Sequence, residues 1–453
     1  MLVVVVGTTA AIAPAHALAR GPSVGGVLTS LERRGAITEA AYTHYRGAYA
    51  AAQSSLRRLT GTRRAELQSV ISNVQAIAAS GELTPSRLGA LFLTLERNRQ
   101  WWTTEPLLSS GERVSFPPSR LVWEYYAGQG IEIQWLGTFG EANGYYLSGH
   151  ENANLRQLLG EAIPLASERA GGIAWEYLFH FDGGSPPWTS GLSQGTAVQV
   201  LARAWSRLKE PAYLTAAQQA LGVFQTAPPQ GVRVKTRAGA EYAEYSYAPS
   251  DRILNGFIQA LVGLYDYTSI TKDPLGLALF EAGDAQARAE VPRYDTGAWS
   301  LYDQFGESSL NYHELLAEFL QHLCERTRKG PPVRQASAAI AGDEIYCTTA
   351  QRFTTDLRTP PAVSLITTTL PTGARAGVQV SLSKIATVRI TVRRNGRTVW
   401  SNAATVERGR PRLLWVTPSQ TGAYSITVTA ADLAGNFATG TGTITLAKGA
   451  KPH

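Results

Sequence analysis

Cysteine is scarce in this chain of 453 residues: only Cys324 and Cys347 occur, too few and too badly spaced for a four-ligand zinc site. The seven histidines are scattered without ligand spacing, so no metal is expected. No glycine-rich phosphate loop, dinucleotide fingerprint or Ser-His-Asp hydrolase signature stands at usable spacing. No cofactor is therefore expected. Beyond the N-terminus there is no apolar run of about eighteen residues or more, which excludes a helical membrane span from that part of the chain. Charge is thin as well, at 17% of residues. The net excess of +7 would draw a polyanion, but no basic helix or aromatic RNA-binding signature accompanies it, so nucleic acid is not the expected partner.

What is present begins with MLVVVVGTTAAIAPAHALARG, a short apolar run ending in Ala15-His16-Ala17. Small residues flanking that step fit a signal-peptidase cut, so residues 1–17 are read as a signal peptide and the protein as secreted or cell-surface. In an oxidising compartment Cys324 and Cys347 are candidates for a disulfide that pins the intervening segment to the preceding helix.

From Val27 to about Arg99, stretches such as LQSVISNVQAIAA place apolar residues at helical spacing. A Pro/Gly/Ser-rich stretch, SSGERVSFPPSR, separates them from LVWEYYAGQGIEIQWLGTFGEANGYY, whose glycines and aromatics predict loops and short strands. Two later segments, SQGTAVQVLARAWSRLKEPAYLTAAQQALGVF and LNGFIQALVGLYDYTSITKDPLGLALFEAGDA, read as copies of one helical hairpin. Each opens near a glycine, Gly195 or Gly256, and breaks at an acidic-Pro pair, Glu210-Pro211 or Asp273-Pro274. Proline suits the first turn of a helix, where its missing N–H costs nothing. Repeated hairpins predict a mainly α fold, an (α/α) toroid over residues 18–357. After Arg358 the apolar period changes to two, with Asn-Gly and Thr-Gly turns, which predicts a small all-β immunoglobulin-like or fibronectin-like sandwich over 358–453. Its Arg389, Arg393, Arg394 and Arg397 are read as solvent-facing, without chemistry.

Tyrosines and acids concentrate between Ala240 and Gln321, in AEYAEYSYAPSDRILNGF and in VPRYDTGAWSLYDQFGESSLNYHELLAEFLQHL. The apolar stripe Leu315, Leu316, Phe319, Leu320 and Leu323 puts Tyr312 and His313 in the first turn of a helix, where the dipole favours an anion. Tyrosine can act as a base only where its phenolate is stabilised.

The strings LNGFIQALVGLYD, YDTGAWSLYD and NYHELLAEFLQ, with PPWTSGLSQGTAVQVLARAW upstream, resemble the C-terminal helical domain of the D-glucuronyl C5-epimerases that act on heparan-type precursors. The resemblance covers roughly Trp175 to Thr327. It implies inversion at C5 of a hexuronic acid residue in an acidic polysaccharide, without a cofactor, by abstraction of one proton and reprotonation on the opposite face. It places the catalytic residues at Glu244, Tyr245, Tyr302 and Tyr312. Tyr245 and Tyr312 are then the expected proton-transfer pair, Glu244 their partner in proton handling, and Tyr302 a support for the sugar ring.

Two features depart from the family. Where it follows its second tyrosine with Asp-Leu-Arg-His, this chain has Asp303-Gln304-Phe305, so Arg252 and Arg293 become the candidates for neutralising the uronate. A β-domain preceding the helical part is not evident. The further substrate-binding candidates are Trp188, Gln194, Asn255, Tyr294, Asp295, Asn311 and His313. For each a plainer reading stands alongside: packing for Trp188, helix capping for Gln194 and Asn255, turn formation for Asp295, hydrogen-bonding support for His313. A uronate polysaccharide lyase would abstract the same proton and then expel the group at C4. A non-catalytic glycan-binding protein could keep the same fold.

Overall fold

The computed structural model describes residues 21–333 and 344–448; the expected signal peptide, residues 1–17, lies outside them. The chain divides into two units, one built from residues up to 289 together with 329–333, the other from 290–328 together with 344–448.

In the first unit, the helical pattern of the N-terminal hundred residues becomes α1 (Val24–Arg33), α2 (Glu39–Leu56), α3 (Gly61–Ala79) and α4 (Pro85–Thr104). Ser23 and Thr38 cap the first two, accepting from Gly26 N and Ala41 N at 3.2 Å each. A three-stranded antiparallel sheet follows, β1 (Arg113–Val114), β2 (Trp123–Tyr126) and β3 (Gly130–Ile133), as the glycine- and aromatic-rich stretch predicts. The remainder of that stretch is helix, α5 (Trp135–Ser148), despite its glycines. The Gln134 side chain caps it through Gly137 N at 2.9 Å, and Gly137 lets the helix approach Val122, which an added Cβ would meet at 3.0 Å. Then come α6 (Asn152–Ala162) and the hairpin β4 (Ser167–Arg169) with β5 (Gly172–Ala174).

The two similar segments form α7 (Gly191–Leu208) with α8 (Pro211–Ala220), then, beyond α9 (Gly222–Gln225) and the hairpin β6 (Arg233–Lys235) and β7 (Ala240–Tyr242), α10 (Leu254–Thr271) with α11 (Pro274–Glu290). Both second helices start on the expected proline. Helices α7 and α10 cross closely because a Cβ at Gly263 would fall 2.1 Å from the Gly195 carbonyl. Asp266 locks the crossing, its Oδ2 accepting from Gln199 at 2.8 Å and from Arg203 at 2.7 Å.

The second unit contains a 3-10 turn (Val291–Tyr294), α12 (Leu310–Thr327) and α13 (Glu344–Asp356), joined by the Cys324–Cys347 disulfide. Eight strands follow: β8 (Val363–Leu365), β9 (Thr369–Pro371), β10 (Arg375–Leu382), β11 (Ala386–Arg394), β12 (Arg397–Val406), β13 (Arg412–Val416), β14 (Gly422–Asp432) and β15 (Phe437–Ala447). They form a three-stranded sheet, β13-β10-β8, and a five-stranded one, β12-β11-β14-β15-β9. Val380, Val388, Ile390, Trp415, Ile426 and Val428 are among the residues of their common core.

This architecture corrects the expected one. The protein is 47% helix and 22% strand, not a mainly α toroid followed by an immunoglobulin-like sandwich. Small sheets interrupt the helices, and their strands of two to four residues are too short for a period-two signal to register. The larger C-terminal sheet is mixed, because β9 runs parallel to β15. Which strand pairs with which is a long-range choice that local alternation does not encode.

Candidate active site

In the first unit, Glu244 and Tyr245 lie just beyond β7, where the chain is stitched to the start of α7. Gly191 N donates to the carbonyls of Ala243 at 3.1 Å and Glu244 at 3.2 Å, and Ser246 N donates to Thr189 O at 3.0 Å.

The Glu244 carboxyl is buried between two helix openings. Ser190, the N-cap of α7, donates its hydroxyl to Glu244 Oε1 at 3.1 Å while accepting from Ser193 N at 3.2 Å. The other oxygen, Oε2, has no hydrogen-bond partner and lies over Gly256 in the first turn of α10, 1.8 Å from where a Cβ would stand. Burial pushes this carboxyl up to about 7, against the opposing pull of the Ser190 hydrogen bond. A carboxyl at that value exchanges a proton readily near neutrality.

Tyr245 enters an aromatic cluster. Its ring stacks on Tyr247 at 5.3 Å, meets Trp188 edge-on at 5.7 Å and tilts against Phe181 at 5.8 Å. Trp188 is 3% exposed, stacks on Tyr177 at 4.3 Å and donates its indole N–H to Phe179 O at 2.9 Å. Its position is thus in the packing of the cluster. Gln194 is fully buried and spent on the backbone, accepting from Trp175 N at 3.4 Å and donating to Ile173 O at 3.0 Å and Ala220 O at 3.3 Å. Asn255, in the first turn of α10, is buried with its Oδ1 unpartnered, an acceptor open to a water or a ligand group. Arg252 pairs with Glu241 at 3.5 Å.

Tyr177 has no place among the sequence candidates. Its hydroxyl accepts from Leu136 N at 3.3 Å, and burial, with the charges of Glu244 and Glu124 adding to it, holds the phenol well above its ordinary value. The signal lay in WEYLFHF, where Trp175, Tyr177, Phe179 and Phe181 alternate as one face of an extended segment does. The other face carries Glu176, clamped by Arg87 at 2.6 and 2.9 Å and by Arg169.

The second unit holds the other candidates. The Tyr302 and Tyr312 rings lie 4.6 Å apart, tilted by 49°. Tyr312 and Asn311 stand in the first turn of α12, capped by Ser309. His313 is buried and stacked on Trp299 at 3.7 Å. Its Nδ1 accepts from Ser300 N at 3.1 Å, so its proton sits on Nε2, which donates to Phe353 O at 2.9 Å. Burial lowers it to about 4, which keeps it neutral. Asp295 pairs with Arg352 at 2.5 Å and accepts from Gly297 N at 2.7 Å. Tyr294 is buried and Arg293 exposed. Among the described residues no cluster of three or more His, Cys, Asp or Glu could hold a metal, and no helix is long and apolar enough to cross a membrane.

A buried, neutral-range carboxyl bonded to a serine, next to a tyrosine in an aromatic cluster, is equipment for acid–base chemistry. Residues 170–336 match the family model described as D-glucuronyl C5-epimerase C-terminus. The chain is 32% identical over 131 residues to a D-glucuronyl C5-epimerase of Caenorhabditis elegans, covering 26% of this chain and 21% of that protein. It is 28% identical over 151 residues to an uncharacterized protein of Methanocaldococcus jannaschii, covering 32% of this chain and 49% of that one. The chain thus spans about a fifth and about half of these two relatives' lengths. A sugar epimerase from a ruminal bacterium superposes over 49% of this chain and 59% of its own with a TM-score of 0.34 and 10% identity, too loose to bear on the fold.

Proposed function

We propose that the protein is a carbohydrate epimerase that inverts C5 of a hexuronic acid residue within an acidic polysaccharide. The observation that carries this reading is the Glu244 carboxyl, buried at about 7 beside Tyr245 in the segment shared with the epimerase family. The C5 proton is weakly acidic because the adjacent carboxylate is already negative. A base removes it, the electron pair passes into the carboxyl group, and an acid returns a proton to the opposite face.

Tyr245 is proposed as one of the two proton-transfer groups, with Glu244 holding or returning its proton. Tyr302 and Tyr312 enter through the family resemblance. Arg252 or Arg293 is proposed to neutralise the uronate carboxylate. An oxidising, exported setting belongs to the same proposal and agrees with the Cys324–Cys347 disulfide.

Incubation with linear hexuronate polymers in heavy water tests the reading. Deuterium at C5 with the chain length unchanged is the expected result. An ultraviolet-absorbing unsaturated sugar would identify a lyase, and the absence of both with every polymer would leave a binding protein.

A further inference from the structure

The chain's excess of positive charge is not spread evenly. Residues 363–448 hold ten Lys or Arg and only two Asp or Glu, against a net charge of +7 for the whole sequence. Part of this is internal: Lys384 is buried against Asp432 at 2.7 Å, and Arg394 bonds Tyr424 and Gln420 at 2.8 Å each. Arg389 and Arg393 are exposed and have no ion-pair partner among the described residues.

Register puts these arginines on one face. On β11, Val388, Ile390 and Val392 point into the core, so Thr387, Arg389, Thr391 and Arg393 point out. Across the sheet, Arg389 is level with Thr429, and Thr429 with Thr439; Arg393 is level with Ser425, and Ser425 with Thr443. The row between them runs Ser401, Thr391, Thr427 and Thr441. The outward face of β11, β14 and β15 is therefore a field of hydroxyls with two guanidinium groups about 14 Å apart along the strand. At one end of it stands Phe437, 73% exposed and level with Ala431, on the same outward alternation of β15. An apolar ring left in water at the edge of a polar, basic face is a separate observation from the charge, and aromatic rings are suited to the C–H face of a pyranose.

We propose that this face binds a linear acidic polysaccharide, with Arg389 and Arg393 taking carboxylates, the threonine and serine rows taking sugar hydroxyls, and Phe437 stacking on one ring. Guanidinium forks pair with carboxylates bidentately, and the hydroxyls both donate and accept, as a sugar's do. The assignment rests on the reading that the substrate is a uronate polymer. It gives the C-terminal unit the task of holding the chain on which the other site acts.

The test uses the whole protein, immobilised linear polyglucuronate-type polymer, neutral dextran, polyglutamate and anionic vesicles. The double variant Arg389→Ser/Arg393→Ser should bind the uronate polymer about tenfold more weakly. Phe437→Ser should weaken it by about threefold or more. The double variant Arg389→Lys/Arg393→Lys should recover part of the loss, which separates the effect from misfolding. C5 exchange on a short oligosaccharide should stay unchanged in all three. Unaltered polymer binding in the double serine variant overturns the proposal. So does equal binding of polyglutamate or vesicles, since the face would then answer to charge alone. If the parent protein binds the polymer but exchanges no C5 proton on any uronate, the epimerase reading fails and the binding face stands.

Discussion

Glu244 Oε2 occupies the space that a side chain on Gly256 would need, with only 1.8 Å between that oxygen and the position of a Cβ. The buried carboxyl and the side-chain-free first turn of α10 are one feature. Gly256→Ala should expel the carboxyl and lower C5 exchange by about a hundredfold, the loss expected for a misplaced catalytic group. Exchange kinetics set beside a thermal melt check this; an unchanged rate in a folded variant would show that the carboxyl's seat is immaterial.

The raised value of Glu244 makes a signed prediction about pH. Between the unfolded value of 4.5 and about 7 the folded protein binds the extra proton, so this group's contribution to stability declines as pH rises through that window. The full effect is about 3 kcal/mol above pH 7. Glu244→Gln should match the parent near the lower limit and be the more stable protein at pH 8, while losing the limb near neutrality in the rate profile. Urea unfolding across the range measures the first, exchange rates the second.

His313 carries the opposite sign. Its folded value of about 4 lies below the ordinary 6.5, so the stability it contributes is present above 6.5 and is lost as pH falls toward 4. His313→Gln should flatten that part of the acid response. It should also cost roughly 2 kcal/mol at neutral pH through the bonds to Ser300 and Phe353. Parallel acid titrations of the two proteins decide it.

The Cys324–Cys347 bridge closes a sequence separation of 23 and joins the helix bearing Tyr312 and His313 to the one bearing Phe353. Cys347→Ser, paired with Cys324→Ser to avoid a stray thiol, should cost about 3 kcal/mol. Comparing melting temperatures with and without reductant checks this: the parent should fall to the variant's value and the variant should not move.

Much of this was legible in the sequence, for identifiable reasons. Helix starts at Pro211 and Pro274 could be read because proline's missing N–H fits only the first turn. The period-two pattern after Arg358 marked strands, but the parallel pairing of β9 with β15 depends on partners some seventy-five residues apart and leaves no local trace. Glu244 and Tyr245 were found through a resemblance. The fact that Glu244 is seated over Gly256 could not be, since it joins the end of one hairpin to the first turn of the next helix. Tyr177 belongs to the alternation of WEYLFHF, which is plain in the residues but marks an extended face and not which of its members is felt by Glu244.

The most direct measurement is deuterium incorporation at C5 of a linear glucuronate polymer in heavy water, made side by side with the parent protein and Tyr245→Phe. The parent should incorporate deuterium without shortening the polymer, and the variant should lose that exchange while keeping the same melting temperature. Equal exchange by the two proteins would contradict the role given to Tyr245, and no exchange by the parent on any hexuronate polymer would contradict the proposed activity itself.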